Sequence, residues 1–316
     1  MTTQRRLRLL LVFATTAVTL VVLDALGRWG IPEAPPREDQ LVSDPVLGWI
    51  LPSGPQMDWR GTPARINELG LRSSSPVNDP AATRIMVVGD SSIFGDGVSD
   101  TQTLPEQVAQ RLSSRRLVDV QNGGVPGYTC LQSTALLDRL SDRFEPQILI
   151  SYNMHSDFRR ASPDDRVMAE QSLGVLSGTG LGRLISAGTL QLRIWRQRPN
   201  HEAPVYEECM RAMVNHQKAS GGKAVLVIPF TESDFPESPR YGVPEPDPPG
   251  TRLADYRDAM RRVAQSTGSL LIDGPAVIAQ SGLSQKDALQ DMVHPTARGH
   301  SFLAEAITTS LYPEDQ

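Results

Sequence analysis

One junction constrains this chain more than any other. Arg84-Ile-Met-Val-Val runs into Gly89-Asp90-Ser91-Ser92-Ile-Phe-Gly95, with a further glycine at 97. Met86, Val87 and Val88 form a short apolar run, the pattern of a strand buried on both faces, and Gly89 marks its end. A serine where such a strand gives way to a tight turn is held at the C-terminal rim of the sheet. Open α/β sheets keep their ligand crevice there. Far downstream, Asp291-Met-Val-His294-Pro-Thr-Ala-Arg-Gly299 sets an acid three residues before an imidazole. That spacing lets the carboxylate orient and polarise the ring. Ser91, Asp291 and His294 thus follow one another in the order Ser, Asp, His of an α/β hydrolytic triad.

From residue 83 the pattern alternates strand and helix. Candidate strands are 84–88, 117–121, 147–152, 223–229 and 269–273. Between them Leu104, Val108 and Leu112 recur at helical spacing, with Pro105 suited to a first turn. Leu253, Tyr256, Met260 and Val263 do the same before Gly268, and Phe302, Leu303, Ala306 and Ile307 mark a last helix. Strands alternating with helices predict a five-stranded parallel sheet in a three-layer α/β/α sandwich. Two long segments leave the rim where Ser91 sits. These are 158–202, and 231–252 with its prolines at 236, 239, 244, 246, 248 and 249. Both read as lids or specificity loops, or as plain surface insertions.

Upstream, Arg5, Arg6 and Arg8 precede an apolar run from Leu9 to Leu23. About fifteen residues at a rise of ~1.5 Å fall short of a ~30 Å hydrocarbon core, but including Leu26 lets the segment cross. Two readings stand: an uncleaved signal anchor over 1–27, or a signal peptide cut near Ala25-Leu26-Gly27. In both the arginines stay in the cytoplasm and the bulk of the chain is exported. The chain is then held at the cell membrane by one N-terminal helix with the main domain extracytoplasmic, or it is secreted. Residues 28–82 read as a proline-bearing linker and a short β extension around Leu47-Gly-Trp and Ala64–Arg72, ahead of a main domain over 83–316.

The net charge is −5, of which residues 1–27 contribute a positive share, so the rest is acidic. No basic cluster follows, which argues against nucleic acid as the partner and favours glycan, lipid or other neutral substrates. The two cysteines, Cys130 and Cys209, fall on predicted helices covering one face of the sheet. A disulfide between them is compatible with export, and two unrelated thiols with the cytosol. His201, His216 and His300 read as structural or exposed.

A third element, Asn122-Gly123-Gly124-Val-Pro126-Gly127, follows the second strand. Its glycines let a backbone N–H approach a developing oxyanion, or simply make a turn. Together these residues resemble the GDSL/SGNH hydrolase family. The first block matches Gly89-Asp90-Ser91 with Gly95, the second Asn122, Gly124 and Gly127, and the fifth Asp291-x-x-His294. The resemblance runs from about residue 45 to 311 and takes in Leu47-Gly-Trp and Ile66-Asn-x-x-Gly70-x-Arg72, signals found upstream of the first block in exported members. It implies a flavodoxin-like sheet and acyl-ester chemistry. It also implies an oxyanion hole from the N–H groups of Ser91 and Gly124 and an Asn side chain.

The third block departs from the family pattern Gly-x-Asn-Asp. Here it reads Ser151-Tyr-Asn153-Met-His155-Ser156-Asp157. Aligned on Asp157, Ser156 takes the Asn position and Asn153 lies three residues early, so Asn153, Ser156 and His155 are the candidate donors. The expectation is a serine esterase removing a small acyl group, such as acetyl, from an envelope or extracellular glycan. Ser91 is the nucleophile, His294 the base and Asp291 its partner, and no metal or organic cofactor is needed. An O-acyltransferase with the same triad and a non-catalytic carbohydrate-binding protein of this fold remain open.

Overall fold

A computed structural model describes residues 3–31, 41–77, 79–160, 173–176, 178–196, 199–236 and 250–315. Most of the proline-rich loop, at 237–249, lies outside the described residues, as do 32–40 of the linker and 161–172 of the other long segment.

In chain order the elements begin with helix α1 (Thr3–Gly30) and four short strands, β1 (Val42–Asp44), β2 (Gly48–Ile50), β3 (Gly54–Met57) and β4 (Pro63–Ile66). Then come β5 (Thr83–Gly89), α2 (Ser91–Phe94), α3 (Leu104–Ser113), β6 (Val118–Gly124), α4 (Cys130–Leu140), β7 (Ile148–Tyr152) and α5 (His155–Phe158). The chain continues through α6 (Gly180–Arg196), α7 (Ala203–Ala219), β8 (Lys223–Ile228), α8 (Leu253–Thr267) and β9 (Leu270–Asp273). It ends with α9 (Gly274–Ser281), α10 (Gln285–Ala288) and α11 (Ala297–Leu311).

These elements fall into two compact units. The smaller holds α1, the β1–β2 hairpin and α6. Helix α1 includes a span, Arg8–Gly30, of 23 residues and mean hydropathy 2.3, long and apolar enough to cross a membrane. Near its C-terminal end it packs on α6: Asp24 Oδ1 accepts the N–H of Leu181 at 3.1 Å. Gly27 and Gly180 meet backbone to backbone, since a Cβ on Gly27 would lie 1.8 Å from the Gly180 carbonyl oxygen.

The larger unit is built on a five-stranded, all-parallel sheet in the order β6-β5-β7-β8-β9. That is the flavodoxin-like order, and its reversal falls between β5 and β7. Helices cover both faces, so the strands read as continuous apolar runs. Ile85, Val87, Ile150, Val225 and Val227 are fully buried in one core with Leu104, Val108, Leu303 and Ile307 from the helices. Each such side chain contributes about 1.5–3 kcal/mol by leaving water. Cys130 at the start of α4 and Cys209 in α7 are joined by a disulfide, with Cα atoms 6.2 Å apart.

The short strands expected upstream are present and find partners that the sequence did not signal. Ile66 pairs with Gly54 and Met57 with Pro63, making β3 and β4 an antiparallel hairpin of the larger unit. The link after it is pinned by two side chains. Asn67 Oδ1 accepts the N–H groups of Leu69 and Leu71, and its amide donates to Ser74 and Gln121. The buried Arg72 guanidinium donates to the carbonyls of Phe94, Gly95 and Val98 and pairs with Asp100 at 2.8 Å. It therefore splints the loop that follows Ser91.

Candidate active site

Ser91 is the first residue of α2, set directly after β5 by a cap. Asp90 Oδ1 accepts the N–H of Ser92 at 2.9 Å, and Gly95 closes the short helix at φ +90°, a left-handed angle that glycine adopts without strain. The Ser91 N–H therefore stands in a first turn, where no intrahelical carbonyl reaches it. Gly124, at the end of β6, lies against this helix. A Cβ there would come 2.2 Å from the Phe94 nitrogen, so only glycine fits.

His294 arrives on the loop before α11. A bridge between Leu289 and Pro295 closes that loop, and Gln290 N–H donates to the His294 carbonyl at 2.8 Å. The Gln290 side chain ties the loop to the Asp96 and Pro295 carbonyls. Across 203 residues of sequence, Ser91 Oγ lies 2.8 Å from His294 Nε2. His294 Nδ1 lies 2.7 Å from Asp291 Oδ2, while Asp291 Oδ1 accepts the N–H groups of Val293 and His294 at 3.0 and 2.9 Å. The three expected residues therefore form one continuous chain of contacts at the C-terminal ends of the strands.

Electrostatics follow from these contacts. Burial works against the Asp291 carboxylate, but the hydrogen bond and charge of His294 and the two N–H donors outweigh it and hold the acid well below its ordinary range. Burial likewise disfavours a charged His294, yet Asp291, then Asp96 and Asp90, raise its proton affinity above the ordinary imidazole value. The Asp96 carboxylate stands 3.9 Å from His294 Nε2.

The expected oxyanion donors are arranged differently. Asn153 is fully buried, and its amide donates to Ser133 Oγ at 2.8 Å while its carbonyl accepts from Ser151 Oγ at 3.0 Å. Ser156 donates both N–H and O–H to Asp90 Oδ2 at 3.2 Å. The Gly124 N–H donates to Asn122 Oδ1 at 2.9 Å. Of the expected groups, the Ser91 N–H alone has no such commitment among the described residues. His155 is buried, with Nδ1 3.4 Å from Ser92 Oγ and Nε2 without a partner among the described residues. Its burial first of all, aided by the charge of His294, lowers its pKa to about 4, so it is neutral near pH 7.

Other expected and unexpected residues are placed as follows. His201 pairs with the buried Asp157 at 2.8 Å, across 44 residues, and His300 is buried. Residues that sequence reasoning missed gather at the hairpin turn. Trp59 lies beside the His294 ring, and Arg60 pairs with Asp291. No spacing rule links positions so far apart. Among the described residues no group of three His, Cys, Asp or Glu side chains is arranged to hold a metal ion.

A model of the GDSL-like lipase/acylhydrolase family matches residues 87–302, more than half of the chain. The chain belongs to this family. This GDSL-like protein is thus an enzyme of a class that acts on ester bonds. No curated protein matches it in sequence. Among solved structures it is similar to LAE5, an α/β hydrolase enzyme from the metagenome of Lake Arreo, Spain. The TM-score is 0.50 at 18% identity, covering 73% of this chain and 95% of that one. It is also similar to the psychrotrophic esterase EstA from Pseudoalteromonas sp., with TM-score 0.47, 14% identity, and 73% and 98% of the two chains covered. For the acetylxylan esterase Axe2 from Geobacillus stearothermophilus the values are 0.46, 18%, 73% and 94%. The LAE5 likeness, at that identity, speaks for the fold.

Proposed function

We propose that this GDSL-like protein is a serine esterase that uses Ser91, His294 and Asp291 to remove a small acyl group, such as acetyl, from a glycan outside the cytoplasm. The observation that carries the reading is the unbroken relay from Ser91 Oγ through His294 to Asp291, with contacts of 2.8 and 2.7 Å. Ser91 Oγ attacks the acyl carbonyl as its proton passes to His294 Nε2. The leaving alkoxide takes that proton, which leaves an acyl-serine. Water then attacks, gives a proton to His294, and Ser91 departs with it as the acid is released. Asp291 stays ionised throughout and steadies the imidazolium.

The Ser91 N–H is the oxyanion donor we assign first, and Gly124 N–H joins it when it leaves Asn122. His155 Nε2 is the remaining uncommitted ring nitrogen of the third block. The glycan reading is supported by the acidic balance of the chain and by Trp59. That indole is 43% exposed beside His294 and offers an apolar face to a sugar ring. Helix α1 as an anchor, and a disulfide suited to an oxidising compartment, support attachment to the outer side of a membrane.

The test uses the full chain in detergent, a fluorophosphonate probe and a short-chain aryl ester. Wild type is expected to be labelled at Ser91 and to turn over the ester. Ser91→Ala is expected to fold, escape labelling and lose roughly 10⁴-fold or more in kcat. Turnover retained in Ser91→Ala would remove the nucleophile assignment. Faster acyl transfer to an added sugar than to water would move the reading to an acyltransferase. Glycan binding without labelling would move it to a binding protein.

A further inference from the structure

The turn of the β3–β4 hairpin reaches the catalytic residues. Asp58, wholly buried, knits the turn together. Its Oδ1 accepts the N–H groups of Arg60 at 2.9 Å and Thr62 at 2.7 Å, and its Oδ2 accepts that of Gly97 at 2.5 Å. The last bond fastens the turn to the loop after Ser91. The next two residues meet the triad. Trp59 donates Nε1–H to Asp96 Oδ2 at 2.7 Å, and its ring centroid lies 6.1 Å from that of His294. The Arg60 guanidinium lies 4.2 Å over the Trp59 ring and donates to Asp291 Oδ2, the oxygen that also receives His294 Nδ1–H.

We propose that this turn is a working part of the active centre, in which Arg60 is a positioning residue that shares Asp291 with His294 and sets the pH at which the imidazole gives up its proton. The catalytic meaning of this inference rests on the triad reading above. Two physical effects follow from the geometry. With Val293 and His294 N–H on one oxygen, and His294 Nδ1 and Arg60 on the other, the carboxylate has four donors and cannot swing away from the ring. A fixed cation on Asp291 also offsets part of the negative charge that would otherwise steady the imidazolium.

That offset matters because His294 is surrounded by acids. Asp291 faces Nδ1, Asp96 stands 3.9 Å from Nε2, and Asp90 lies on the strand-to-helix junction below. Among the described residues, other charged or titratable groups around this cluster include the buried imidazoles of His155 and His300, with Arg72, Arg257 and Asp234 acting on them, the buried Asp58 of the turn, and Arg60 itself. Three carboxylates acting alone favour the charged imidazole, whereas a base must be free of its proton. Arg60 opposes them. Its loss is therefore expected to raise the proton affinity of His294 further.

The experiment is a histidine titration by NMR on the full chain in detergent micelles, labelled at histidine Cε1. His294→Gln assigns the signal among the five histidines. Arg60 is exposed and the turn is held by Asp58, so substitution leaves the hairpin standing. Arg60→Gln is expected to move the His294 midpoint up by about one pH unit, and Arg60→Lys, which keeps the charge, by a small fraction of that. The acid limb of ester turnover should move with it. A midpoint unchanged in Arg60→Gln, or moved equally in Arg60→Lys, overturns the inference whatever the enzyme does. A moved midpoint with an unmoved acid limb upholds the charge coupling and counts instead against His294 as the base.

Discussion

Asp291 receives four hydrogen bonds from three residues, and the behaviour of the neighbouring imidazole follows from that crowding. A histidine can serve as a base only when neutral, and the proton affinity of His294 is raised above the ordinary value near 6.5. We therefore expect kcat/KM to rise with pH across a region above 6.5 and level off once the ring has lost its proton. A profile flat from pH 5 to 8 would exclude this ring as the essential base. Asn153 is expected to behave as a structural residue. Asn153→Ala strips partners from Ser133 and Ser151 in the buried interior and should cost about 1–3 kcal/mol in a denaturant melt. If kcat instead falls ~10²-fold or more with stability unchanged, Asn153 is the oxyanion donor after all. At this scale Ser91, Asp291 and His294 were legible because each sits in a local motif whose turn or spacing has a mechanical meaning. Arg60 and Asp96 were not, because an ion pair across 231 residues leaves no periodic trace.

Elements were legible where burial is two-sided. The strands at 83–89 and 148–152 carry unbroken apolar runs, and the helix at 104–113 carries apolar residues at helical spacing. The extension was read as two short strands, yet it contains two hairpins. Their missing partners, Val42-Ser-Asp44 and Gly54-Pro-Gln-Met57, have too many turn-forming residues to signal a strand. The bridge between α4 and α7 was left open by the sequence, since Cα spacing is a tertiary quantity. It closes a segment of 79 residues, and loop entropy assigns it about 4.5 kcal/mol. Replacing both cysteines by alanine should lower the denaturation midpoint accordingly, while ester turnover of the folded protein is kept. Coincident melts for the two proteins would mean that the crosslink adds nothing beyond the packing of α4 on α7.

Over the whole molecule, pH enters stability through imidazoles far from water. Burial drives the pKa of His155 down to about 4 and that of His300 to about 3, so between there and 6.5 the unfolded chain binds protons that the native one refuses. Stability should therefore rise with pH across that window. Each buried ring contributes up to about 1.4 kcal/mol per pH unit. Acid melts of His300→Gln should show a shallower slope than wild type, and parallel slopes would place that ring in contact with solvent. The Arg72 splint bears on where the enzyme can be cut. Its guanidinium is anchored upstream of the sheet but satisfies carbonyls on the far side of Ser91. A fragment trimmed back to the first central strand would leave those oxygens facing a hole, and Ser91 would lose the brace that keeps it aimed. The smallest autonomous esterase is accordingly expected to begin before the second hairpin.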